Sequence, residues 1–185
     1  MSVLFISNLH LKPEQPAVAA AFFRFIREQA PLADALYILG DLFEMWVGDD
    51  DDDVFCRQVI TALRNLSDTG VPLYFMHGNR DFLIGQRFAQ ETGATLLEDP
   101  THLTLFGQEV VLMHGDSLCT DDAEYMEYRA MVRDPQWQQA SMNKPLAERR
   151  EFAKGLRETS KEKNQQKSME IQDVVAAEVD AIFEN

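Results

Sequence analysis

The sequence predicts an α/β fold in which a mainly parallel sheet is layered with helices and followed by a helical segment. Short apolar runs of strand length alternate with longer segments whose apolar residues follow helical spacing. Several of these runs end abruptly in Gly, Asn, Asp or His, as strands do at the ligand-binding edge of open α/β sheets. Residues 123–183 have helical character almost throughout. The alternation predicts layers of helices on a sheet rather than an all-β domain.

The first half of the chain begins with strands and helices in alternation. Ser2–Ser7 is rich in β-branched and aromatic residues, which predicts a short buried strand. Pro16 suits the first residue of the helix that follows, over residues 17–29. Asp34–Leu39 predicts the second strand. The apolar face of the next helix is Phe55, Val59, Leu63 and Leu66.

A third strand, Val71–Met76, begins after Gly70, which ends that helix. The remaining predicted elements are a helix over Leu83–Thr92, ended by Gly93, and a hairpin of His102–Phe106 and Glu109–Met113 around Gly107-Gln108.

The carboxylate run Asp49–Asp53 has two interpretations. One is a metal trap. The other, which we favour, is a solvated loop leading into a helix, because acidic residues stabilise helix N-termini. Asp53 or a neighbour would then be the N-cap.

Charge and composition limit the kind of partner and the compartment. The formal net charge of −14 argues against generic nucleic-acid binding. Residues 123–170, however, hold ten Lys or Arg against eight Asp or Glu, which indicates an anionic partner there. No apolar stretch reaches membrane-spanning length and no signal peptide pattern opens the sequence. We therefore expect a cytoplasmic protein in which Cys56 and Cys119 are reduced thiols.

Polar side chains follow four of the apolar runs. They are Asn8 with His10, then Asp41, Asn79 and His114. If these runs are parallel strands, their ends meet at one edge of the sheet. Imidazole, carboxylate and amide oxygen together suit Mn²⁺, Fe²⁺ or Zn²⁺ better than Ca²⁺. The sequence therefore predicts a metal centre.

The motifs around these residues are Asn8-Leu9-His10, Gly40-Asp41-Leu42-Phe43-Glu44, Gly78-Asn79-Arg80-Asp81 and His114-Gly115-Asp116. This set resembles the calcineurin-like metallophosphoesterase pattern of D-x-H, G-D-x-x-[DE], G-N-[HR]-[DE] and a lone His. The resemblance implies a β-sandwich flanked by helices. It also implies a core over residues 1–122, a helical lid that binds substrate over residues 123–170, and a helix returning to the core over residues 171–185.

The likeness is greatest to hydrolases of lipid A biosynthesis, and it extends through Trp46–Asp50, His77–Leu83, Leu112–Asp122, Ser160–Glu162 and Lys167-Ser168. It implies Mn²⁺-dependent hydrolysis of the pyrophosphate bond of a UDP-linked diacylated glucosamine, giving UMP and lipid X. It further implies peripheral attachment to the inner face of the bacterial inner membrane. The lid would take the acyl chains on its apolar side chains and anionic headgroups on its arginines.

The resemblance implies a role for each site residue. Asp41 bridges two metal ions, His10 with Asn8 serves the first, and Asn79 with His114 serves the second. Asp41, Asn79, Arg80 and His114 form the catalytic set, in which the Arg80 guanidinium meets the charge that grows on the pyrophosphate. The implied substrate contacts are Asn79, Arg80, Asp122, Ser160, Asn164 and Lys167.

The chain departs from this pattern in two places. Position 8 is Asn where the family has Asp, and no G-H-x-H follows His114 before Asn185. We therefore expect the first metal site to be compromised, the closing strands of the second sheet to be missing and catalysis to be weak. Two alternatives stay open: an impaired relative that binds a nucleotide-lipid or a membrane, and a metallophosphoesterase for another substrate.

Overall fold

The computed structural model describes residues 2–166, 171 and 173–183, with the backbone alone for residues 161–166. The chain divides into two compact units, Met1–His114 and Gly115–Asn185. Each unit is considered by itself. The functional limits proposed at residues 122 and 170 stay a prediction.

The first unit contains a four-stranded parallel sheet whose strands lie in chain order. They are β1 (Val3–Ile6), β2 (Ala35–Leu39), β3 (Leu73–Met76) and β4 (Ala94–Leu97). The helices α1 (Pro16–Glu28), α2 (Val54–Asp68) and α3 (Gln86–Thr92) connect successive strands. The predicted α/β class is confirmed, and Pro16 is the first residue of α1 as expected.

The two faces of this sheet bury different layers, because successive side chains of a strand point to opposite sides. Leu36 and Ile38 lie in the core shared with the three helices. Tyr37, between them, packs on the other face with Leu112. Leu112 belongs to an antiparallel pair, β5 (Thr101–Leu105) and β6 (Gln108–Leu112). The unit is therefore a helix layer, a parallel sheet and a second, two-stranded sheet.

The structure differs from the sequence predictions for this region in three details. β4 was not predicted, because Ala94-Thr95-Leu96-Leu97 is only four residues long and follows the helix-ending Gly93 directly. The hairpin turn is Phe106-Gly107 rather than Gly107-Gln108. His114 also does not follow a strand of the parallel sheet, since β6 lies in the antiparallel pair.

The second unit is helical, as predicted. Its helices are α4 (Ala123–Arg133), α5 (Pro135–Met142), α6 (Leu146–Gln166) and α7 (Ala176–Phe183). Asp122 and Asp134 are the N-caps of α4 and α5, accepting hydrogen bonds from Tyr125 N and Trp137 N. Among the helices of the described residues, none combines the length and hydropathy that a membrane span needs.

The acidic run supports helices, as the favoured interpretation expected, but it is not solvated throughout, because Asp51 is buried. Asp53 is the N-cap of α2 and accepts a hydrogen bond from Cys56 N at 2.9 Å. Asp49 serves α3, whose own N-cap Gly85 has no side chain. Its carboxylate accepts hydrogen bonds from Gly85 N at 2.9 Å, Phe88 N at 3.0 Å and Trp46 Nε1 at 3.2 Å. Asp49 therefore fastens the loop after β2 to the start of α3.

Replacing Asp49 should destabilise the first unit. Asp49→Ala leaves two helix N–H groups and one indole N–H without their acceptor, so we expect the free energy of unfolding to fall by about 2–4 kcal/mol. Glu14→Ala is the matched control, because it removes an exposed carboxylate, and it should change stability by no more than about 0.5 kcal/mol. Urea denaturation followed by far-UV circular dichroism measures both. Equal losses in the two variants would contradict the capping role.

Candidate metal centre

The segment after β1 lies alongside the segment after β2. Asn8 N donates to Gly40 O at 3.1 Å, and His10 N donates to Asp41 O at 3.0 Å. Asn8, His10 and Asp41 all have left-handed backbone conformations, with φ of 53°, 47° and 54°. Such conformations cost non-glycine residues about 1 kcal/mol each or more, and they cluster at functional sites. The pairing holds His10 and Asp41 side by side.

A third loop, after β3, approaches Asp41 so closely that only glycine fits. A Cβ on Gly78 would lie 2.1 Å from Asp41 Oδ1 and 2.3 Å from Asp41 N. A Cβ on Gly40, which has φ of 85°, would lie 2.6 Å from both Gly78 N and His114 Nδ1. These glycines allow three chain segments to converge on one carboxylate.

The carboxylate at this point of convergence belongs to Asp41, which is 1% exposed. Its Oδ1 accepts a hydrogen bond from Arg80 N at 2.8 Å, which fixes the plane of the group. Its Oδ2 faces two imidazoles, with His10 Nε2 at 3.6 Å and His114 Nε2 at 3.9 Å. One oxygen is thus used for orientation and the other is shared by two histidines.

The His114 ring is held in one tautomer by the end of β2. Its Nδ1 lies 2.8 Å from Leu39 O. A carbonyl oxygen only accepts hydrogen bonds, so Nδ1 carries the proton and donates it. In the neutral ring Nε2 then presents a lone pair to Asp41 Oδ2. Two lone-pair-bearing atoms face each other, an arrangement that a cation between them stabilises.

A second buried carboxylate, Asp81, ties the converging loops together. It accepts hydrogen bonds from Leu42 N at 2.8 Å, Gly78 N at 2.8 Å and Asp41 N at 3.2 Å. Burial first, and then the neighbouring Asp41 carboxylate, raise the pKa of Asp81 to about 6 despite these hydrogen bonds. Two adjacent buried carboxylates give the site the negative potential that attracts a cation.

The donor set of two imidazole nitrogens and one carboxylate oxygen fits a metal centre. Within the described part of the chain, no group of three or more His, Cys, Asp or Glu side chains is placed to hold one ion. The observed arrangement is two His–Asp pairs that share Asp41 Oδ2. An ion held by either His–Asp pair would need an amide or water oxygen to complete its coordination, in line with the mixed N/O ligands of Mn²⁺ or Zn²⁺.

The other predicted ligands lie in the converging loops, but no contact between their side chains and Asp41 is seen. Asn79 is half-buried and directly follows Gly78. Asn8 is exposed, and its Nδ2 lies 3.4 Å from Ser7 Oγ. The assignment of both as ligands stays a prediction. Arg80 lies in the same loop, and its Nε is buried with no hydrogen-bond partner among the described residues.

The predicted substrate contacts of the second unit are only partly described. Asp122 is buried and caps α4, which gives it a structural role beside the predicted one. Ser160 is half-buried on α6. Asn164 lies in the part of α6 whose side chains are not described, and Lys167 lies outside the described residues.

Sequence reasoning missed three residues that the site depends on. Asp81 and Glu44 were included in motifs without a role, and Gly78 was not seen as a point of close approach. Glu44 Oε2 lies 3.5 Å from His10 Nδ1. Each of these residues lies within three positions of a predicted ligand in the chain, and this proximity is the signal that points to such support.

Comparison with known proteins agrees with this geometry. Residues 1–168 match the calcineurin-like phosphoesterase family. The UDP-2,3-diacylglucosamine hydrolase of Chromohalobacter salexigens is 55% identical over 183 residues, which cover 99% of this chain and 74% of that protein. Those of Salmonella arizonae and Salmonella typhi are each 52% identical over 184 residues, covering 100% of this chain and 77% of theirs. The predicted family is confirmed, and the chain belongs to the calcineurin-like phosphoesterases.

Proposed function

We propose that this chain hydrolyses the pyrophosphate bond of UDP-2,3-diacylglucosamine to UMP and the acylated sugar phosphate lipid X, with Mn²⁺ as cofactor. The observation that carries the proposal is the single Asp41 oxygen shared by two imidazoles. The relatives named above, all called UDP-2,3-diacylglucosamine hydrolases, supply the substrate. When bound, the metal ions activate water and neutralise the phosphoryl oxygens.

The residues of the chain would hold and orient the reacting groups. Asp41, His10 and His114 hold the ions, with Asn79 and Asn8 as the proposed amide ligands. The hydrogen bond from Arg80 N keeps the Asp41 carboxylate in one plane. Asp81 holds the loops after β2 and β3 together, so the orientation of the Asp41 carboxylate is set before substrate binds. Little reorganisation of the site is therefore needed during the reaction.

Arg80 is the proposed contact for the pyrophosphate. Its buried Nε has no hydrogen-bond partner among the described residues, and a buried donor without an acceptor is costly. A phosphoryl oxygen satisfies such a donor and gains the extra strength of a charged pair. Asp122, Ser160, Asn164 and Lys167 are the proposed contacts to the rest of the substrate.

Hydrolysis by the chain should depend on the shared carboxylate. We expect Mn²⁺-dependent release of UMP from UDP-2,3-diacylglucosamine, and a loss of about 100-fold or more in kcat/KM for Asp41→Asn. The matched control is Asp68→Asn at the end of α2, which should leave the rate unchanged. Product formation is followed by ³¹P NMR, and circular dichroism confirms folding.

Two results would contradict the proposal. Release of UMP that does not respond to Asp41→Asn would place the activity outside this centre. Mn²⁺ binding at Asp41 without any hydrolysis of this substrate would favour the alternatives, an impaired binding protein or an enzyme for another phosphodiester. In the same assay, hydrolysis of UDP-glucose would indicate the enzyme for another phosphodiester, and no hydrolysis of it would indicate the impaired binding protein.

The presence of Asn rather than Asp at position 8 is the specific observation that favours an impaired enzyme. Asn8 offers a neutral amide oxygen, and its side chain is exposed beside Ser7. A carboxylate in the same place adds a negative charge to the coordination of the first ion, and ligand charge strongly affects the affinity of oxygen sites.

Asn8→Asp should therefore tighten Mn²⁺ binding by about tenfold or more. Electron paramagnetic resonance of free Mn²⁺ during titration measures the change. Asn65→Asp is the matched control, because it makes the same charge change on an exposed position of α2. Equal affinities for all three proteins would show that residue 8 is not a ligand.

We also propose that the second unit binds anionic membrane surfaces. Met131 on α4, Met142 on α5 and Phe152 on α6 are exposed apolar side chains. They lie within residues 123–170, where ten Lys or Arg stand against eight Asp or Glu. Apolar side chains among basic residues suit an interface with anionic lipid. Such attachment would place the chain at the inner face of the inner membrane.

The chain should then co-sediment with vesicles that contain phosphatidylglycerol and not with pure phosphatidylcholine vesicles. Lys154→Glu should weaken this binding by about fivefold or more, since each basic residue near such a surface contributes about 1 kcal/mol. Arg24→Glu on α1 makes the same charge change in the first unit and should have little effect. Equal weakening by both variants would mean that only net charge matters.

A further inference from the structure

We propose that Glu44 is a positioning residue of this centre: it holds His10 in the tautomer whose Nε2 lone pair faces Asp41. This inference rests on the metal centre proposed above and assigns a role to a residue outside the set of ligands. It explains how the second imidazole is oriented.

The His10 ring lies between two carboxylates. Its Nδ1 is 3.5 Å from Glu44 Oε2, and its Nε2 is 3.6 Å from Asp41 Oδ2. A neutral imidazole has one N–H to donate. If the proton is on Nε2, that nitrogen cannot bind a metal ion. If the proton is on Nδ1, it points at Glu44 and Nε2 is open towards Asp41, which is the arrangement that a ligand requires.

The main chain places Glu44 beside His10. Leu11 N donates to Leu42 O at 2.8 Å, and Glu44 N donates to Leu11 O at 3.1 Å. These hydrogen bonds form an isolated parallel bridge between Leu11 and Phe43. The His10–Lys12 segment is thereby fixed against the Leu42–Glu44 segment. Both backbones are anchored, and the separation of 3.5 Å between the two side chains is a few tenths of an ångström longer than a usual N–H···O hydrogen bond.

Lys12 completes the arrangement from the same segment. Its Nζ lies 3.6 Å from Glu44 Oε1, the carboxylate oxygen that does not face His10. The contact with Lys12 uses one carboxylate oxygen and leaves Oε2 directed at His10. Lys12 thus contacts Glu44, which faces His10, and His10 in turn faces Asp41. This arrangement resembles the carboxylate–histidine–metal chains in which an outer carboxylate fixes the tautomer of a histidine ligand and raises its basicity.

The tautomer of His10 tests this role directly, without any turnover. In the metal-free protein labelled with ¹⁵N-histidine, long-range ¹H–¹⁵N spectra distinguish Nδ1–H from Nε2–H rings, and the His10→Gln variant assigns the signal. We expect Nδ1–H in the wild type and in Glu44→Gln, whose amide oxygen still accepts the hydrogen bond. In Glu44→Ala we expect the Nε2–H form to appear.

Mn²⁺ affinity provides the second readout. Glu44→Ala should weaken Mn²⁺ binding by about 10- to 100-fold, the range seen when outer partners of metal ligands are removed. Glu44→Gln should weaken it less, because it keeps the hydrogen bond and loses the charge. Glu14→Ala is the matched control, an exposed carboxylate shortly after His10 in the chain, and should bind as the wild type does.

An unchanged His10 tautomer in Glu44→Ala would overturn the proposal, as would equal Mn²⁺ affinity of Glu44→Ala and Glu14→Ala. If the wild type binds no Mn²⁺, the proposed function fails, while the tautomer measurement still decides whether Glu44 orients His10. The two failures are therefore distinguishable.

Discussion

The buried Asp81 carboxylate is the constraint on which the site depends. Three main-chain N–H groups from two loops point at it, and those loops can meet only because Gly40 and Gly78 lack a Cβ. Leaving these N–H groups buried without an acceptor would cost about 1–3 kcal/mol each. The neighbouring Asp41 carboxylate is therefore fixed in place by the fold before any ligand binds.

The metal centre follows from that constraint through one atom. Asp41 Oδ1 is occupied by Arg80 N, so Oδ2 alone is available to the two imidazoles. This orientation, with one carboxylate oxygen facing both imidazoles, is the basis of the proposal that Asp41 serves both ions.

The sequence predicted the elements but not the way in which they meet. Strands and helices were predictable because apolar spacing and residues such as Pro16 and Asp53 are local signals. His114 was correctly expected near Asp41, although it arrives from the antiparallel pair rather than from a parallel strand. The positions of Asp81 and Glu44 near predicted ligands pointed to supporting residues, but their contacts were not predictable, because they depend on main-chain pairing between segments far apart in the chain.

The difference in burial between the two histidines explains why different groups hold them. The His114 side chain is 4% exposed, so water does not compete for its Nδ1–H, and the neutral Leu39 carbonyl is a sufficient acceptor. A further buried charge there would carry a desolvation cost. The His10 side chain is 33% exposed, and water competes for its ring protons. A carboxylate is a stronger acceptor than a carbonyl at such a position, and the proposed acceptor Glu44 Oε2 lies 3.5 Å from the His10 ring.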